Sequence, residues 1–445
     1  DQPDTTVESG TVVEIATGGV VPPGADAVVM VERTAREDET VTVRTAVAPG
    51  DNIMVAGADV AAGQRTLGPG TELTAREIGL LSALGIESVP VRSQPTVGIL
   101  STGDELVAPG EQLNSDAGQI YDVNSHTIAA SVEEAGGRPE VYPIVGDDFE
   151  TMKAVLTEAA TDCDLVLSSG STSAGAADHI YQLIDDHGEL LRHGVAVKPG
   201  KPMLVGRFEE TPYIGLPGFP VSALTIFRHF VAPKIRDTAG KPPRKREQIT
   251  GQMAVTERYK EGRTRLMPVG LVEDSAEDLL VYPVDKGSGA TTSLVDADGT
   301  VRIDPETEQL DAGQDVDVTL FSADVRPPEL LGIGEDDPVL SRVLDRLDNP
   351  RYLPLGSREG LRRLRNGVSD IAVAAGSTER DVEAVELGSW SREWGLLVPA
   401  GNPADVTGVA ELVENDLSFV NRGRQSGLRA SFDAALDEYA AAQDT

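Results

Sequence analysis

The fold of this chain is decided by a segment that reads DLVLSSGSTSAGAADH at residues 164–179. Its apolar start predicts a buried strand, which runs into a loop of serine, threonine and glycine. Such a loop leaves backbone N–H groups uncovered, and these groups suit phosphate. Two further segments follow, VAVKPGKPMLVG at 195–206 and GLPGFPVSAL at 215–224, and they add Lys198 and Lys201. We expect an anion site here, although each loop alone is also compatible with an ordinary surface turn.

Strands and helices alternate around this segment. The sequence predicts strands at 97–100 (VGIL), 141–145 (VYPIV) and 164–169 (DLVLSS), and helices at 125–135, 149–160 and 220–235. This alternation predicts a doubly wound α/β domain at 95–240, with a mostly parallel sheet and helices on both faces. Ligands of such sheets bind at the carboxyl ends of the strands, where the loops after 100 and 167 fall.

The flanking regions predict three further domains, so the fold class is α/β multidomain. Residues 1–60 form a β-rich domain, with strands at TVVEI (11–15), DAVVMVE (26–32) and TVTVRTAV (40–47), and 61–94 form a helical connecting segment with a capped helix at 74–84. Residues 248–322 predict a small β-barrel. Residues 330–445 predict another α/β unit, with helices at 340–347, 360–367 and 428–439 and strands at 370–375 and 394–400.

The composition excludes several classes of protein. The chain has 445 residues and a formal net charge of −35, which argues against nonspecific nucleic-acid binding and against docking on anionic membranes. An acidic surface of this kind favours a halophilic source, where salt screens self-repulsion. The single Cys163 forms no intramolecular disulfide, and no stretch reaches transmembrane length. We expect a cytoplasmic protein.

Six motifs in order resemble the molybdopterin molybdenumtransferase family, which includes the E domain of gephyrin. They are EIATGGVVPPGADAVVMVE (14–32), VGILSTGDELVAPGE (97–111), IYDVNSH (120–126), SSGSTSAGAADH (168–179), VAVKPGKPMLVG (195–206) and GLPGFPVSA (215–223). The resemblance implies a magnesium-dependent step of molybdenum-cofactor synthesis. Molybdate, or tungstate in an archaeon, would be inserted into adenylylated molybdopterin with release of AMP. It also implies a homodimer whose cleft lies between subunits.

The tail resembles the periplasmic-binding-protein-like domain that some members, many of them archaeal, carry at the carboxyl end. The matching segments are GSREGLRRLRNGVSDIAVA (356–374), REWGLLVPAGNP (392–403) and FVNRGRQSGLR (419–429). In such a fold Asn421, Arg422, Ser426 and Arg429 would face the ligand cleft, since serine and arginine at a helix start suit an oxyanion. A helix cap with two surface arginines is the alternative.

The loops and the resemblance together give the candidate site residues. The candidate catalytic residues are Thr17, Glu105, Asp147 and Asp178, and the last three are also the candidate magnesium ligands, since magnesium takes few carboxylates plus phosphate oxygens. The candidate substrate-binding residues are Ser101, Thr102, Gly103, Asp104, Ser169, Gly170, Ser171, Ser173, Gly175, Lys198, Lys201, Pro217 and Gly218. Asp147 also has a structural alternative, since Asp147-Asp148 could simply cap the helix that follows.

The chain departs from the family pattern in several places. It begins after the point where the family carries an Asp-Gly-Tyr-Ala motif whose aspartate is implicated in catalysis, so we expect a chain shortened at both ends. Ala58 stands where the family usually has a glutamate. Ser171 replaces a glycine, and Phe219 replaces the asparagine of a Pro-Gly-Asn-Pro loop. Two other functions stay open. One is a regulatory protein that binds molybdate, tungstate or another small ligand and carries a pterin-binding module, and the other is adenylylation of molybdopterin.

Overall fold

The computed structural model of this chain describes residues 5–170, 177–243, 248–274, 278–284, 287–376, 382–415 and 417–443. The chain divides into two units, Asp1–Pro90 and Val91–Thr445. Among the described residues, no helix is both long and apolar enough to cross a bilayer.

The first unit contains a hairpin and one helix. Its elements are a 3₁₀ turn at Val31–Arg33, the antiparallel strands β1 (Thr34–Glu37) and β2 (Thr40–Val43), and the helix α1 (Ala75–Ala83). The predicted helix is confirmed: the backbone N–H of Thr74 donates to Glu77 Oε2 at 2.9 Å in a reciprocal capping box.

The strands predicted at 11–15 and 26–32 are wrong. Both segments lack a ladder in the structure, and their β-branched side chains are uncovered, with Val12 57% and Val31 76% exposed. A β-branched composition favours an extended backbone, but a strand also requires a hydrogen-bonded neighbour, which composition does not specify. Of the third predicted strand, only β2 forms.

The second unit holds the remaining elements. Its strands are β3 (Thr96–Ser101), β4 (Leu106–Val107), β5 (Ile120–Tyr121), β6 (Arg138–Val141), β7 (Leu165–Ser169), β8 (Gly188–His193), β9 (Val197–Lys198), β10 (Leu204–Phe208), β11 (Thr211–Leu216), β12 (Gln248–Met253), β13 (Glu257–Arg258), β14 (Thr264–Glu273), β15 (Leu279–Pro283), β16 (Gly299–Ile303), β17 (Gln309–Leu310), β18 (Asp315–Leu320), β19 (Leu330–Gly334), β20 (Pro350–Leu353) and β21 (Ile371–Val373). Its α-helices are α2 (Asn124–Ala135), α3 (Phe149–Asp162), α4 (Ala177–His187), α5 (Pro220–Ile226), α6 (Ala232–Thr238), α7 (Thr292–Asp296), α8 (Pro338–Leu344), α9 (Ser357–Arg365), α10 (Val409–Glu414) and α11 (Gly427–Gln443).

The predicted α/β domain is built on a six-stranded sheet in the order β6-β3-β7-β11-β10-β8. Strands β6, β3, β7 and β11 are parallel, and β10 runs antiparallel to both of its neighbours. One face buries side chains of α2, α5 and α6, and the other buries those of α3 and α4. The predicted mixture of a mostly parallel sheet and two helical layers is therefore confirmed.

The edge strand of this sheet lies earlier than predicted. The sequence predicts VYPIV at 141–145, but β6 ends at Val141, in register with Ile99. Pro143 has no N–H to donate to a ladder, which disfavours a strand through the middle of the predicted segment. The chain touches the sheet again in a single bridge between Val145 and Thr102.

A β-barrel is present, as predicted. Strands β12, β18, β16, β14 and β15 close into a ring, because β15 pairs with both β12 and β14. Short β9 adds to the outside of this ring, with Lys198 in register with Arg265 of β14. The barrel thus holds the strand that leads into the Lys-Pro-Gly-Lys turn.

The tail is a three-stranded parallel sheet, β20-β19-β21, with α9 packed against it. The strand predicted at 394–400 is wrong: Leu397 is fully exposed and the segment has no ladder. The tail also shares a core with the barrel, in which Tyr282 and Val284 pack with Leu331 and other apolar residues of the tail. The barrel and tail are therefore joined by buried contacts as well as by the linker at 325–329.

Candidate functional site

The candidate site lies where β3, β7 and β11 end at the carboxyl edge of the sheet. The register pairs Ser101 with Ser169, and Ser169 with Leu216, so the loops that follow these strands are neighbours. The N–H of Thr102 donates to the carbonyl of Ser169 at 2.9 Å, and this bond ties the first two loops together. Ser101, Thr102 and Ser169 are all buried. The structure therefore brings together the predicted residues from three separate motifs.

Asn124 links two of these loops. Its amide Nδ2 donates to Ser169 Oγ and to the carbonyl of Gly218, both at 2.7 Å. The Asp122 carboxylate fixes the start of α2 by accepting from the N–H groups of Asn124 and Ser125, at 3.0 and 3.2 Å. The loop composition that predicts the other residues does not single out Asn124. Its signal is the motif IYDVNSH, which enters only through the family resemblance.

Two buried polar atoms at this edge have no hydrogen-bond partner among the described residues. They are Oδ1 of Asn124 and Oγ of Ser101, whose residues are 8% and 1% exposed. Buried polar atoms are satisfied in nearly all native structures, so each such atom calls for a partner. A polar ligand seated at this edge would supply one.

Gly170 allows the loop after β7 to lie against the loop after β3. Its φ is +104°, and a Cβ at this position would overlap the carbonyl oxygen of Thr102. A side chain here is therefore excluded both by backbone conformation and by space. At this position the two loops therefore approach each other through bare backbone.

A group of acidic residues forms the rim beside β3. Asp104 Oδ1 accepts from the N–H of Asp147 at 3.0 Å, and Asp104, Glu105 and Asp147 are all exposed. Partial burial raises the pKa of Asp147, the neighbouring Asp104 and Glu105 charges raise it further, and His179 opposes them. His179 packs edge-on against Phe149, and its buried Nδ1 has no partner among the described residues. The rim thus concentrates negative charge that a cation would relieve.

This donor set is chemically suited to magnesium, which prefers carboxylate oxygens and is often held by one or two of them together with substrate phosphates. The described residues contain no group of three histidine, cysteine or acidic side chains close enough to hold a metal by themselves. Of the three candidate ligands, Glu105 and Asp147 have described side chains, and their carboxylate oxygens are of the type that magnesium prefers. The side chain of the third candidate ligand, Asp178, lies outside the described residues.

The two lysines of the 198–201 turn lie at the junction with the barrel. Gly200 has a φ of +114°, and a Cβ there would overlap Ile226 of α5, so the turn packs closely on that helix. The Lys198 ammonium pairs with Glu261 and lies 5.7 Å from the centre of the Tyr259 ring. Lys201 is exposed. The described contacts of Lys198 are therefore with the barrel, not with the strand ends.

The remaining candidates are placed as follows. Thr17 is exposed on a turn of the first unit, in which the N–H of Gly19 donates to the carbonyl of Ala16 at 2.9 Å. Pro217 is buried and Gly218 exposed after β11. The candidates of the loop at 171–176, which are Ser171, Ser173 and Gly175, lie outside the described residues.

A cavity of about 520 Å³ lies elsewhere, between the sheet domain and the barrel. It is lined by the carboxyl-terminal half of α2, by α6 and by the end of β18. Asn124 stands at the opposite end of α2 from this cavity. We place the candidate site at the strand ends because the unpartnered polar atoms and the predicted motifs are there.

The tail contains a buried carboxylate where an oxyanion was expected. Glu335 follows β19, is 6% exposed, and accepts with Oε1 from the N–H of Ser357 (3.0 Å), the hydroxyl of Ser357 (2.9 Å) and the N–H of Gly427 (2.5 Å). These N–H groups start α9 and α11. Burial opposes ionisation of Glu335, but these hydrogen bonds and the Arg422 charge together hold its pKa below the usual range.

Among the predicted tail residues, Arg422 is near enough to this carboxylate to lower its pKa, and two others bind a different acidic residue. Asn421 Nδ2 and Arg429 Nε both donate to Asp433 of α11, at 3.2 and 3.3 Å. Ser426 Oγ is buried without a partner among the described residues. Since a carboxylate of the chain already binds the starts of two helices, the role of these residues in ligand binding stays a prediction.

Four family models match successive parts of the chain. A model described as the MoeA N-terminal region (domain I and II) matches residues 1–85, a probable molybdopterin binding domain matches 98–237, and the MoeA C-terminal region (domain IV) matches 250–321. A PBP superfamily domain matches 348–444. The three regions matched by the MoeA-type and molybdopterin-binding models are those that contain the motifs at 14–223 and the predicted barrel.

Curated relatives carry related names. A molybdopterin molybdenumtransferase 2 from Mycobacterium tuberculosis is 40% identical over 245 residues, which cover 53% of this chain and 60% of that protein. A putative molybdopterin biosynthesis protein from Methanocaldococcus jannaschii is 30% identical over 319 residues, covering 70% and 76% respectively. The chain spans 55–60% of the length of the molybdopterin molybdenumtransferases from M. tuberculosis, Nostoc and Haemophilus influenzae.

Solved structures give the same similarity. The crystal structure of a molybdopterin biosynthesis MoeA protein from Pyrococcus horikoshii is 35% identical, with a TM-score of 0.59 over 73% of this chain and 79% of that one. A second structure of a MoeA protein from P. horikoshii is 30% identical, with a TM-score of 0.52 over 72% and 78%. The fold described above is therefore similar to that of these proteins.

Proposed function

Because the chain belongs to the molybdopterin molybdenumtransferase family, we propose that it inserts molybdenum into molybdopterin during molybdenum-cofactor synthesis. The substrate would be adenylylated molybdopterin, the metal would arrive as molybdate or tungstate, and AMP would leave. The presence of both MoeA-type flanking regions, in addition to the pterin-binding domain, supports metal insertion over adenylylation of molybdopterin.

The observation that carries this proposal is the set of strand ends at the carboxyl edge of the sheet. Asn124 joins the loops after β7 and β11, while Asn124 Oδ1 and Ser101 Oγ lack partners among the described residues. A pterin is a flat heterocycle with several donors and acceptors, and such a group would satisfy atoms of both kinds. The bare backbone at Gly170 would let the ligand approach closely.

The anionic groups of the substrate require positive charge. Cationic side chains are in the minority in this chain, with 38 lysines and arginines against 73 acidic residues. Lys198 and Lys201 would bind the pyrophosphate or the incoming oxyanion. The uncovered N–H groups of the serine-rich loop would add hydrogen bonds. Thr17 stays a candidate catalytic residue by resemblance to the family. Light scattering after size-exclusion chromatography would test the proposed homodimer.

Magnesium would be held by Glu105 and Asp147, with Asp178 as the third predicted ligand. When bound, it would neutralise the pyrophosphate and so favour departure of AMP. The chain's own contribution would be to keep the rim carboxylates close to each other, which the bond between Asp104 Oδ1 and the N–H of Asp147 does. Magnesium would also lower the pKa of Asp147, which partial burial and its acidic neighbours raise.

The test is to incubate the chain with adenylylated molybdopterin, magnesium and molybdate, and to measure AMP release together with metal uptake. AMP release coupled to metal uptake supports the proposal. Binding without turnover supports a regulatory binding protein, and consumption of ATP with unmodified molybdopterin supports adenylylation. Asn124→Ala should weaken pterin binding about tenfold or more, because it removes the two bonds that join the loops after β7 and β11 and leaves the buried Ser169 hydroxyl without this donor. Asn415→Ala, at an exposed position of the tail, is the matched control.

A further inference from the structure

A cluster of cationic side chains surrounds Tyr259 where β9 joins the barrel. Lys198 Nζ lies 5.7 Å from the Tyr259 ring centre and the Arg265 guanidinium lies 5.4 Å from it. Arg263 is near enough to share a carboxylate with Lys198. We call Lys198, Arg263 and Arg265 the Tyr259 cluster. In a chain with a net charge of −35, such a concentration of positive charge requires a reason.

The charges of the cluster are neutralised in two different ways. Arg265 is 9% exposed and donates to Glu257 at 2.8 Å, so this pair is largely shielded from water. Lys198 and Arg263 instead share one residue, because Lys198 binds Oε1 of Glu261 and Arg263 binds Oε2. Two cations therefore bind a single carboxylate, one at each of its oxygens. A bound anion would contact the two cations in the same way.

The Glu261 contacts are the kind that an incoming anion can replace. The side chains of Lys198 and Glu261 are 39% and 38% exposed, and ion pairs at such exposure contribute little to stability. A phosphate or pyrophosphate carries more charge than a carboxylate and more acceptor oxygens. Glu261 is on the segment between β13 and β14, outside both strands, so its side chain can swing away without breaking a ladder.

We propose that Glu261 is a built-in counter-ion, which holds Lys198 and Arg263 in the free protein and yields them to the phosphate groups of the substrate. Glu261 then sets the affinity of this position, since every anion that binds must first displace it. This inference rests on the proposed function for its substrate, a pyrophosphate-linked pterin. The competition of Glu261 with phosphate for the two cations can be measured without turnover.

The test is calorimetric titration of the full chain with inorganic pyrophosphate, at low and at 1 M KCl. Glu261→Gln should bind pyrophosphate about three- to tenfold more tightly than the unmodified chain, because two exposed ion pairs no longer have to be broken. The gain should shrink in 1 M KCl, where the Debye length is about 3 Å. It should disappear in the double variant Glu261→Gln/Lys198→Ala.

Glu308→Gln is the matched control. Glu308 is an exposed carboxylate of the same barrel, 3.9 Å from Lys260, and its removal changes the net charge by the same amount. An equal gain in Glu308→Gln would show a general charge effect and overturn the inference. So would an affinity of Glu261→Gln equal to that of the unmodified chain, a gain that persists without Lys198, or no pyrophosphate binding by either protein.

The two proposals fail separately. If adenylylated molybdopterin is not turned over but the pyrophosphate gain follows Lys198, the counter-ion is retained and the reaction is rejected. If turnover occurs and Glu261→Gln shows no gain, the reaction is retained and the counter-ion is rejected.

Discussion

Replacement of Glu335 tests whether the tail is held together by its own carboxylate. Glu335 Oε1 accepts three hydrogen bonds, two from Ser357 and one from Gly427, and these residues start α9 and α11. Glu335→Ala removes the shared acceptor and leaves two buried N–H groups without a partner. Glu335→Gln keeps an acceptor oxygen but removes the charge.

The expected cost follows from the bonds that are lost. Hydrogen bonds to a charged group contribute about 1.5–3 kcal/mol each, and a buried donor left unpaired costs about 1–3 kcal/mol. Desolvation of the buried carboxylate offsets part of this contribution in the native protein. We expect Glu335→Ala to lower the free energy of unfolding of the tail by about 3–5 kcal/mol, and Glu335→Gln by about 1–2 kcal/mol.

The chain offers a local reporter for this measurement. Both of its tryptophans, Trp390 and Trp394, lie in the tail; Trp390 donates to Asp337, and Trp394 packs against Phe432 of α11. Urea unfolding followed by tryptophan fluorescence therefore reports on this module. Glu386→Ala, at an exposed position of the same module, should change the midpoint little. If Glu335→Ala and Glu386→Ala have the same midpoint, the carboxylate does not hold the two helices and the reasoning is refuted.

Three further outcomes are expected. The pKa of Glu335 is lower in the folded than in the unfolded state. The stability that this carboxylate contributes is therefore complete above about pH 4.5 and is lost as the pH falls through the folded pKa. Acid unfolding followed by tryptophan fluorescence should show this loss of stability in the unmodified chain and not in Glu335→Gln. Arg351→Met should lower the free energy of unfolding by about 3–5 kcal/mol, because it leaves Asp298 buried without its two guanidinium bonds of 2.5 and 2.8 Å. Arg342→Met, in an exposed pair, should lower it by less than about 1 kcal/mol. Equal effects of the two variants in urea unfolding would contradict this prediction. The free energy of unfolding should rise between low and multimolar KCl, since screening relieves the repulsion implied by a net charge of −35, and equal stability in both would reject the halophilic interpretation.

The sheet and the barrel can be predicted from the sequence because their signals are local. Strands β3 and β7 are short apolar runs followed at once by small polar residues, and α3 begins at the N-cap Asp148, which accepts from the N–H of Thr151 at 2.8 Å. Each of these features is set by residues within one turn or one strand of each other. Periodicity and capping are sufficient for elements of this kind.

The strands that were predicted but do not form fail for a common reason. At 11–15, 26–32 and 394–400 the residues have the right composition, but in the structure none of these segments has a neighbour to complete a ladder. In contrast, the missed strand β19 is short and Gly-rich, yet it forms because β20 and β21 pair with it on both sides. Strand formation depends on distant partners, and local composition does not contain them.

The same distinction applies to the sites. Loops that end neighbouring parallel strands must meet, so Ser101 and Ser169 could be placed together from the order of the elements. The bond from Asn124 to the carbonyl of Gly218 spans 94 positions, and that from Gly427 to Glu335 spans 92. No pattern in the sequence links such residues. Serine and arginine at the start of α11 suggest an oxyanion, and only the folded chain reveals that a glutamate already lies there.

The barrel contacts both the lysine turn and the tail. On one side, β14 pairs with β9 and so fixes the position of Lys198 relative to Arg265. On the other side, Asp298, just before β16, receives both guanidinium bonds of Arg351 from the tail and also accepts from the N–H of Leu271 in β14 at 2.7 Å. One strand therefore contacts both the lysine turn and the residue that anchors the tail. Because β14 is buried over most of its length, both contacts are made to the packed interior of the barrel.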